Sequence, residues 1–569
     1  MTSPALLTRM IMAGQGKEPA DLVIKNIGLL DVITGAVTIT DIAIVGDRIV
    51  GTHSRYDGQH VVDGTGRFAV PGFIDTHLHI ESSLVTPLEF DRCVLPYGVT
   101  TVLCDPHEIA NVLGAEGLKY FLDSAERTIM DIRVNLSSCV PATPFETSGA
   151  RLEIEDLLPF RSHPKVVGLA EMMNFPGVLN ADPGIVAKLV AFQEGHIDGH
   201  APLLGDMALN GYLAAGIRTD HEATSAAEAR EKLAKGMAIL IREGSVSKDL
   251  EALAEVLDEN TSSFVALCTD DRNPLDIEEE GHLDSSIRRL IAMGRPLHHV
   301  YRAASHSAAR IFGLRDRGLI GPGWRADIAI LDSLEECRVS DVIAAGRLVT
   351  PDLFEKRGAV ALVGLTSMKA KPVTADAFIT EPKPGQNRVP VIGVRPGLIL
   401  TFREEASLAT TDQGLQPDLA ADVIKVAVIE RHGKNGNIGR AFVTGFGLKR
   451  GAIASSVGHD SHNITVVGAN DADMAAAVNR LIELGGGFAV ADGGKVTAEL
   501  ALPIAGLMSP KSFEEVAGDL HHLRDAARAL DCVLPEPFLQ VAFLALPVIP
   551  HLKMTDRGLF DVDAFDFVG

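Results

Sequence analysis

Residues 70–83 read VPGFIDTHLHIESS, an apolar run that ends in two histidines one residue apart, His77 and His79. Alternation along a strand puts both imidazoles on one face, about 6 to 7 Å apart along the chain, so the two can reach one cation. An isolated pair of this kind is weak evidence for a metal. The pattern around it is what gives it weight.

Seven further apolar runs follow, and each leads into a helix-like segment: VTTVLCDPHE, IRVNLSSCVP, VVGLAEM, HIDGHAP, IRTDHE, MAILIREGS and FVALCTDDR. The segments between them, such as GIVAKLVAFQEG, LGDMALNGYLAAG and TSAAEAREKLAKG, have helical composition and close on glycine, the residue that best tolerates a left-handed C-cap. Regular strand–helix alternation implies a parallel sheet. Eight repeats over roughly 240 residues suit a closed (β/α)8 TIM-type barrel better than an open sheet with edges to cover. The fold class expected is therefore α/β.

In such a barrel, side chains at the C-terminal strand ends share one mouth. Here those ends carry His77 and His79, then Asp105, His107 and Glu108, then Glu171, His200, His221, and finally Asp270 with Asp271. Strands four, five and six thus deliver one carboxylate and two more imidazoles, and Asp270 closes strand eight. Two cations held about 3.5 to 4 Å apart need a bridging anion to offset their repulsion. Glu171 is the residue best placed to bridge.

The barrel is expected over residues 71–313. Short Val/Ile-rich runs broken by Gly/Asp turns precede it over 21–67, and the same texture returns over 318–349. The two flanks, 1–70 and 314–365, are read as one small β-sandwich. A Pro- and Lys-rich segment over 367–388 is expected to have little order and to lead into an α+β domain over 370–569.

Composition excludes several function classes. The chain has 569 residues and a formal charge of −23, which argues against nucleic acid and anionic membranes as partners, since both are held through Lys and Arg. Six cysteines without CxxC spacing indicate neither a disulfide framework nor a thiolate zinc site, so a reducing cytoplasm is expected. The first twenty residues lack the pattern of a secretion signal, and no apolar run approaches a membrane span. A small-molecule substrate is expected, with a homodimer or higher homo-oligomer as the assembly.

The strings PGFIDTHLH, HLHIESS, DPHEIANVLG, GLAEMMNFPGV, IDGHAP, TDHE, LCTDDRNP and GHDSHN resemble the bacterial adenine deaminases of the amidohydrolase superfamily, over nearly the whole chain. The resemblance implies hydrolysis of adenine to hypoxanthine and ammonia at a binuclear centre. It implies His77, His79, Glu171, His200, His221 and Asp270 as ligands. Imidazole and carboxylate ligands separate Mn²⁺, Fe²⁺ and Zn²⁺ poorly, and the resemblance favours Mn²⁺. Many binuclear relatives place a carboxylated lysine on strand four, where this chain has Glu171; Lys165, just before that strand, is expected in solvent.

A water activated by the metal would attack C6 of the purine, with Asp270 as general base, a dual role the resemblance suggests. An acid is then needed at N1; Glu108 is the first candidate, with Asp271 and Glu222 behind it. A cyclic amide or N-acyl compound is the alternative substrate. Plainer roles are also expected for several residues. His107 can donate to a carbonyl in its own turn, and Met172 and Met173 can serve as pocket wall or core filler. His459 and His462 form either a hydrogen-bonded turn or a cover over the site, within the chain or across a subunit boundary. The acidic run over 276–282 is read as a solvated loop or a lid.

Overall fold

The structure, a computed structural model, describes residues 3–382 and 388–568. At its centre are eight parallel strands: β1 (Phe73–Leu78), β2 (Val99–Cys104), β3 (Asp131–Leu136), β4 (Val166–Met172), β5 (His196–Gly199), β6 (Thr219–Asp220), β7 (Ala238–Arg242) and β8 (Val265–Cys268). Strands β1 to β5 pair in chain order, and β6 to β8 do the same. The seams are stitched as well. Arg218 N donates to Ile197 O at 3.1 Å between β5 and β6, and Asp270 N donates to His77 O at 3.0 Å between β8 and β1.

The ring is therefore a (β/α)8 barrel. Every residue of β1, β2, β7 and β8 is buried, as expected of parallel strands covered on both faces. Helices pack outside them with local signals that the sequence displays. Helix Ala226–Ala234 starts at Ser225, whose side chain accepts from Glu228 N. Gly236 follows it with φ +86°, a conformation that glycine adopts without a Cβ penalty.

The flanks share one sheet, ordered Arg347–Leu348, Arg338–Ala344, Ile328–Ser333, Phe68–Pro71, Ala20–Leu30, Val37–Val45, Arg48–Ser54, with Gly58–Asp63 also paired to Ala20–Leu30. Its core is built from Ile24, Ile27, Ile42, Ile44, Ile328, Ile330 and their neighbours from both flanks. A helix, Pro4–Gly14, precedes it and is capped by Ser3; its weak amphipathic pattern gave little to read in the sequence.

Beyond the barrel, eight strands from Val389 to Ala501 make a mostly antiparallel sheet, with helix Asp471–Leu484 packed against it. The segment expected to lack order differs from that expectation over 367–382; residues 383–387 lie outside the described residues. Phe378 is buried, Val373 N donates to Asn479 Oδ1 at 2.8 Å, and Lys369 N donates to Arg431 O at 2.8 Å. Apart from one short turn of helix at Ala375–Phe378 the segment is irregular, yet its apolar side chains and backbone hydrogen bonds anchor it to the C-terminal domain.

Candidate metal centre

The strand ends converge. His77 Nδ1 lies 2.8 Å from Asp198 Oδ2, and His79 Nδ1 lies 3.0 Å from the carbonyl of Asp105. Both partners can only accept, so each Nδ1 carries a hydrogen and each Nε2 presents its lone pair. Those lone pairs face carboxylate oxygens. His77 Nε2 is 3.7 Å from both Glu171 Oε1 and Asp270 Oδ1; His79 Nε2 is 3.5 and 3.2 Å from the same two atoms.

The other oxygen of Glu171 faces the opposite way. Oε2 is 2.7 Å from His200 Nδ1 and 3.5 Å from His221 Nε2. One carboxylate therefore stands between two pairs of imidazoles, one oxygen turned to each.

The donor set fits two divalent ions. His77 Nε2 is buried without a hydrogen-bond partner, and acceptors facing one another without water repel unless a positive centre lies among them. Ligands bound at about 2.1 Å lie roughly 3 to 3.5 Å from each other, close to the spacings seen. Electrostatics agree. Burial opposes charge on His200, yet Glu222 and Glu171 raise it to about 9; the carboxylates that draw a proton there are also suited to draw a cation. Burial would raise Glu171, but hydrogen bonds from His107 and His200 hold its carboxyl well below the usual range.

Around this cluster lie side chains that the sequence reading did not assign. Arg242, at the end of β7, reaches Glu222 with both terminal nitrogens, Asp270 Oδ2 at 3.0 Å and Asp249 Oδ2 at 2.9 Å. Its signal was legible, since an arginine closing an apolar strand points to the mouth. Asp198 lies within β5, where an acid in a buried strand is a comparable signal.

The remaining candidates are near. Asp271 accepts from Ser82 Oγ, and burial followed by the charge of Asp270 raises its carboxyl. Glu108 is fully enclosed: His459 Nδ1 lies 2.5 Å from its Oε1, and His462 Nε2 contacts its Oε2. Both histidines come from the C-terminal part of the same chain. The GHDSH loop thus covers the barrel mouth from within one subunit.

A small cavity of about 50 Å³ separates the two parts. Its floor is the His/carboxylate cluster, and Ile399, Phe543, Leu546, Val548 and Ile549 line the other side. His459 stacks on Phe543 with ring centroids 4.6 Å apart. Met173 also lines the cavity, whereas Met172 is buried in the core.

Two expectations are corrected. Lys165 is not in solvent: it pairs with Asp131 Oδ1 at 2.5 Å, beside Arg133 and Arg317, because an acid buried at the start of β3 needs cations around it. The acidic run is not a solvated loop. It forms helix Pro274–Glu280 and meets the C-terminal helix Phe513–Ala529 through Glu278 with His521 and Glu279 with Arg524.

The Amidohydrolase family model matches residues 68–349, and the Adenine deaminase C-terminal domain model matches residues 398–566. Adenine deaminase 1 of Rhizobium meliloti is 64% identical over 563 residues, 99% of each chain. The adenine deaminase of Brucella anthropi is 63% identical over 564 residues, 99% of this chain and 100% of that one. Among solved structures, the N-acetylglucosamine-6-phosphate deacetylase of Thermotoga maritima aligns with 17% identity and a TM-score of 0.44, covering 57% of this chain and 99% of that one. At such identity over its full length, the chain belongs to the adenine deaminases of the amidohydrolase family.

Proposed function

We propose that the chain hydrolyses adenine to hypoxanthine and ammonia at a binuclear centre. The observation that carries this is Glu171, set between two pairs of imidazoles with one oxygen turned to each. His77, His79 and Asp270 would hold one ion with Glu171; His200 and His221 would hold the other. Nitrogen and oxygen donors without thiolate admit Mn²⁺, Fe²⁺ and Zn²⁺ alike, and Mn²⁺ is our first choice on the family resemblance alone. When bound, such ions lower the pKa of water towards about 7 and so supply a nucleophile at neutral pH.

The chain's own groups do the rest. Arg242 fixes Asp270 Oδ2, leaving Oδ1 on the cavity side to accept a proton from the attacking water. Glu108 takes contacts from His459 and His462 on both oxygens, which keeps it ionised and poor as an acid. Asp271, raised by burial and by Asp270, is better placed to hold a proton for N1. Glu222 is tied to Arg242 and held well below the usual range. Opposite them, the wall of Ile399, Phe543, Leu546, Val548 and Ile549 offers a planar ring an apolar surface.

We assign the chemistry to residues 71–313 and the cover to 370–569. Six free thiols, five of them buried, suit a reducing compartment, and we place the enzyme in the cytoplasm as a homo-oligomer. Protein loaded with Mn²⁺ should release ammonia from adenine. No turnover with two ions bound per chain would remove the assignment.

A further inference from the structure

His107 lies in the loop after β2, and its Nδ1 is 3.0 Å from Asp105 Oδ2. A carboxylate only accepts, so Nδ1 carries the hydrogen and Nε2 keeps a lone pair. What Nε2 faces is Glu108 Oε1 at 3.3 Å and Asp460 Oδ1 at 3.8 Å. His107, Glu108 and Asp460 are all less than 5% exposed, at 4%, 1% and 2%. Acceptors buried together in this way need a positive centre among them.

His459 completes the group. Its Nδ1 is 2.5 Å from Glu108 Oε1 and 3.9 Å from Asp460 Oδ1, and the four donor atoms all lie within 4.8 Å of one another. His462 is accounted for differently. Its Nδ1 accepts from Gly458 N at 3.2 Å, so its Nε2 carries the hydrogen and occupies Glu108 Oε2. Oε1 is thus the oxygen turned towards the other three groups. Asp460 Oδ2 has no hydrogen-bond partner.

We infer that His107, Glu108, His459 and Asp460 hold a third divalent cation that joins the barrel to the C-terminal domain. Two imidazoles with two carboxylates suit a first-row transition ion rather than Mg²⁺ or Ca²⁺, which take oxygen ligands. The site shares no ligand with the proposed pair. The ion would tie the 458–462 loop to the 105–108 loop and hold the cavity closed, with the Glu108–His459 contact opening slightly to admit it.

Crystals of the full chain grown in Mn²⁺ test this through anomalous scattering at the manganese edge, alongside metal content per chain after gel filtration. A peak among His107, Glu108, His459 and Asp460, with three ions per chain, is expected; Asp460→Ala should lower the count to two. Two ions per chain and no peak there overturns the inference, leaving a protonated His107 as the positive centre. The wild-type map decides even if the variant fails to fold. Retention of this peak without peaks at Glu171 would support the third site while removing the binuclear proposal.

Discussion

Asp198 acts on the centre without facing the cavity. By accepting from His77 Nδ1 it fixes the tautomer that leaves Nε2 free, and loss of such a partner typically lowers metal affinity by about 10- to 100-fold. Asp198→Ala should therefore lose Mn²⁺ to a competing chelator at correspondingly lower chelator concentration, and unchanged retention would count against the assigned tautomer. Arg242 compensates two buried carboxylates, Glu222 and Asp270, and the half-buried Asp249, so Arg242→Met removes the cation that all three share. A cost of about 3 to 5 kcal/mol is expected by denaturant titration of the metal-free protein. The ligand candidates were legible because each closes an apolar strand, and strand period alone sets their direction. Asp198 and Arg242 also sit in barrel strands, β5 and β7, but their use depends on partners from other strands, which no local pattern encodes.

At the scale of elements, the barrel strands were readable as apolar runs, whereas what fills the foot of the barrel was not. Asp131 begins β3 and draws Lys165, Arg133 and Arg317 from three different segments. Burial opposes its charge, but Lys165 and then Arg317 outweigh it and hold the carboxyl far below its ordinary value. A carboxyl depressed by folding contributes stability that is fully present above its unfolded pKa, about 3.9. That contribution is lost as pH falls through the folded value. The stability gap between wild type and Asp131→Asn should accordingly be constant from pH 7 to about 5 and shrink on acidification below about 4. A gap that stayed constant to pH 2 would show that the cluster works by packing rather than by charge.

For the molecule as a whole, the cavity exists only because the C-terminal part is seated on the barrel mouth. That seating was the least legible feature, since His459 and Phe543 come from positions far from the strands they cover. Lys553 shows how the cover is held in shape. It is fully buried, and burial brings its amine down to about 7. Its Nζ donates to the carbonyls of Ile399 at 2.9 Å and Phe543 at 3.0 Å, two residues that line the cavity from separate segments. Removing a hydrogen bond to such a group costs about 1.5 to 3 kcal/mol, and 1.4 kcal/mol is a factor of about ten. Lys553→Met should let the two segments part, so the apolar wall no longer meets the ring in one fixed position. Because Lys553 touches none of the candidate ligands or proton carriers, the loss should fall on substrate binding. We expect KM for adenine to rise about tenfold with kcat changed far less, measured by steady-state ammonia release. A fall in kcat at unchanged KM would mean that the cover positions the reacting groups rather than the ring.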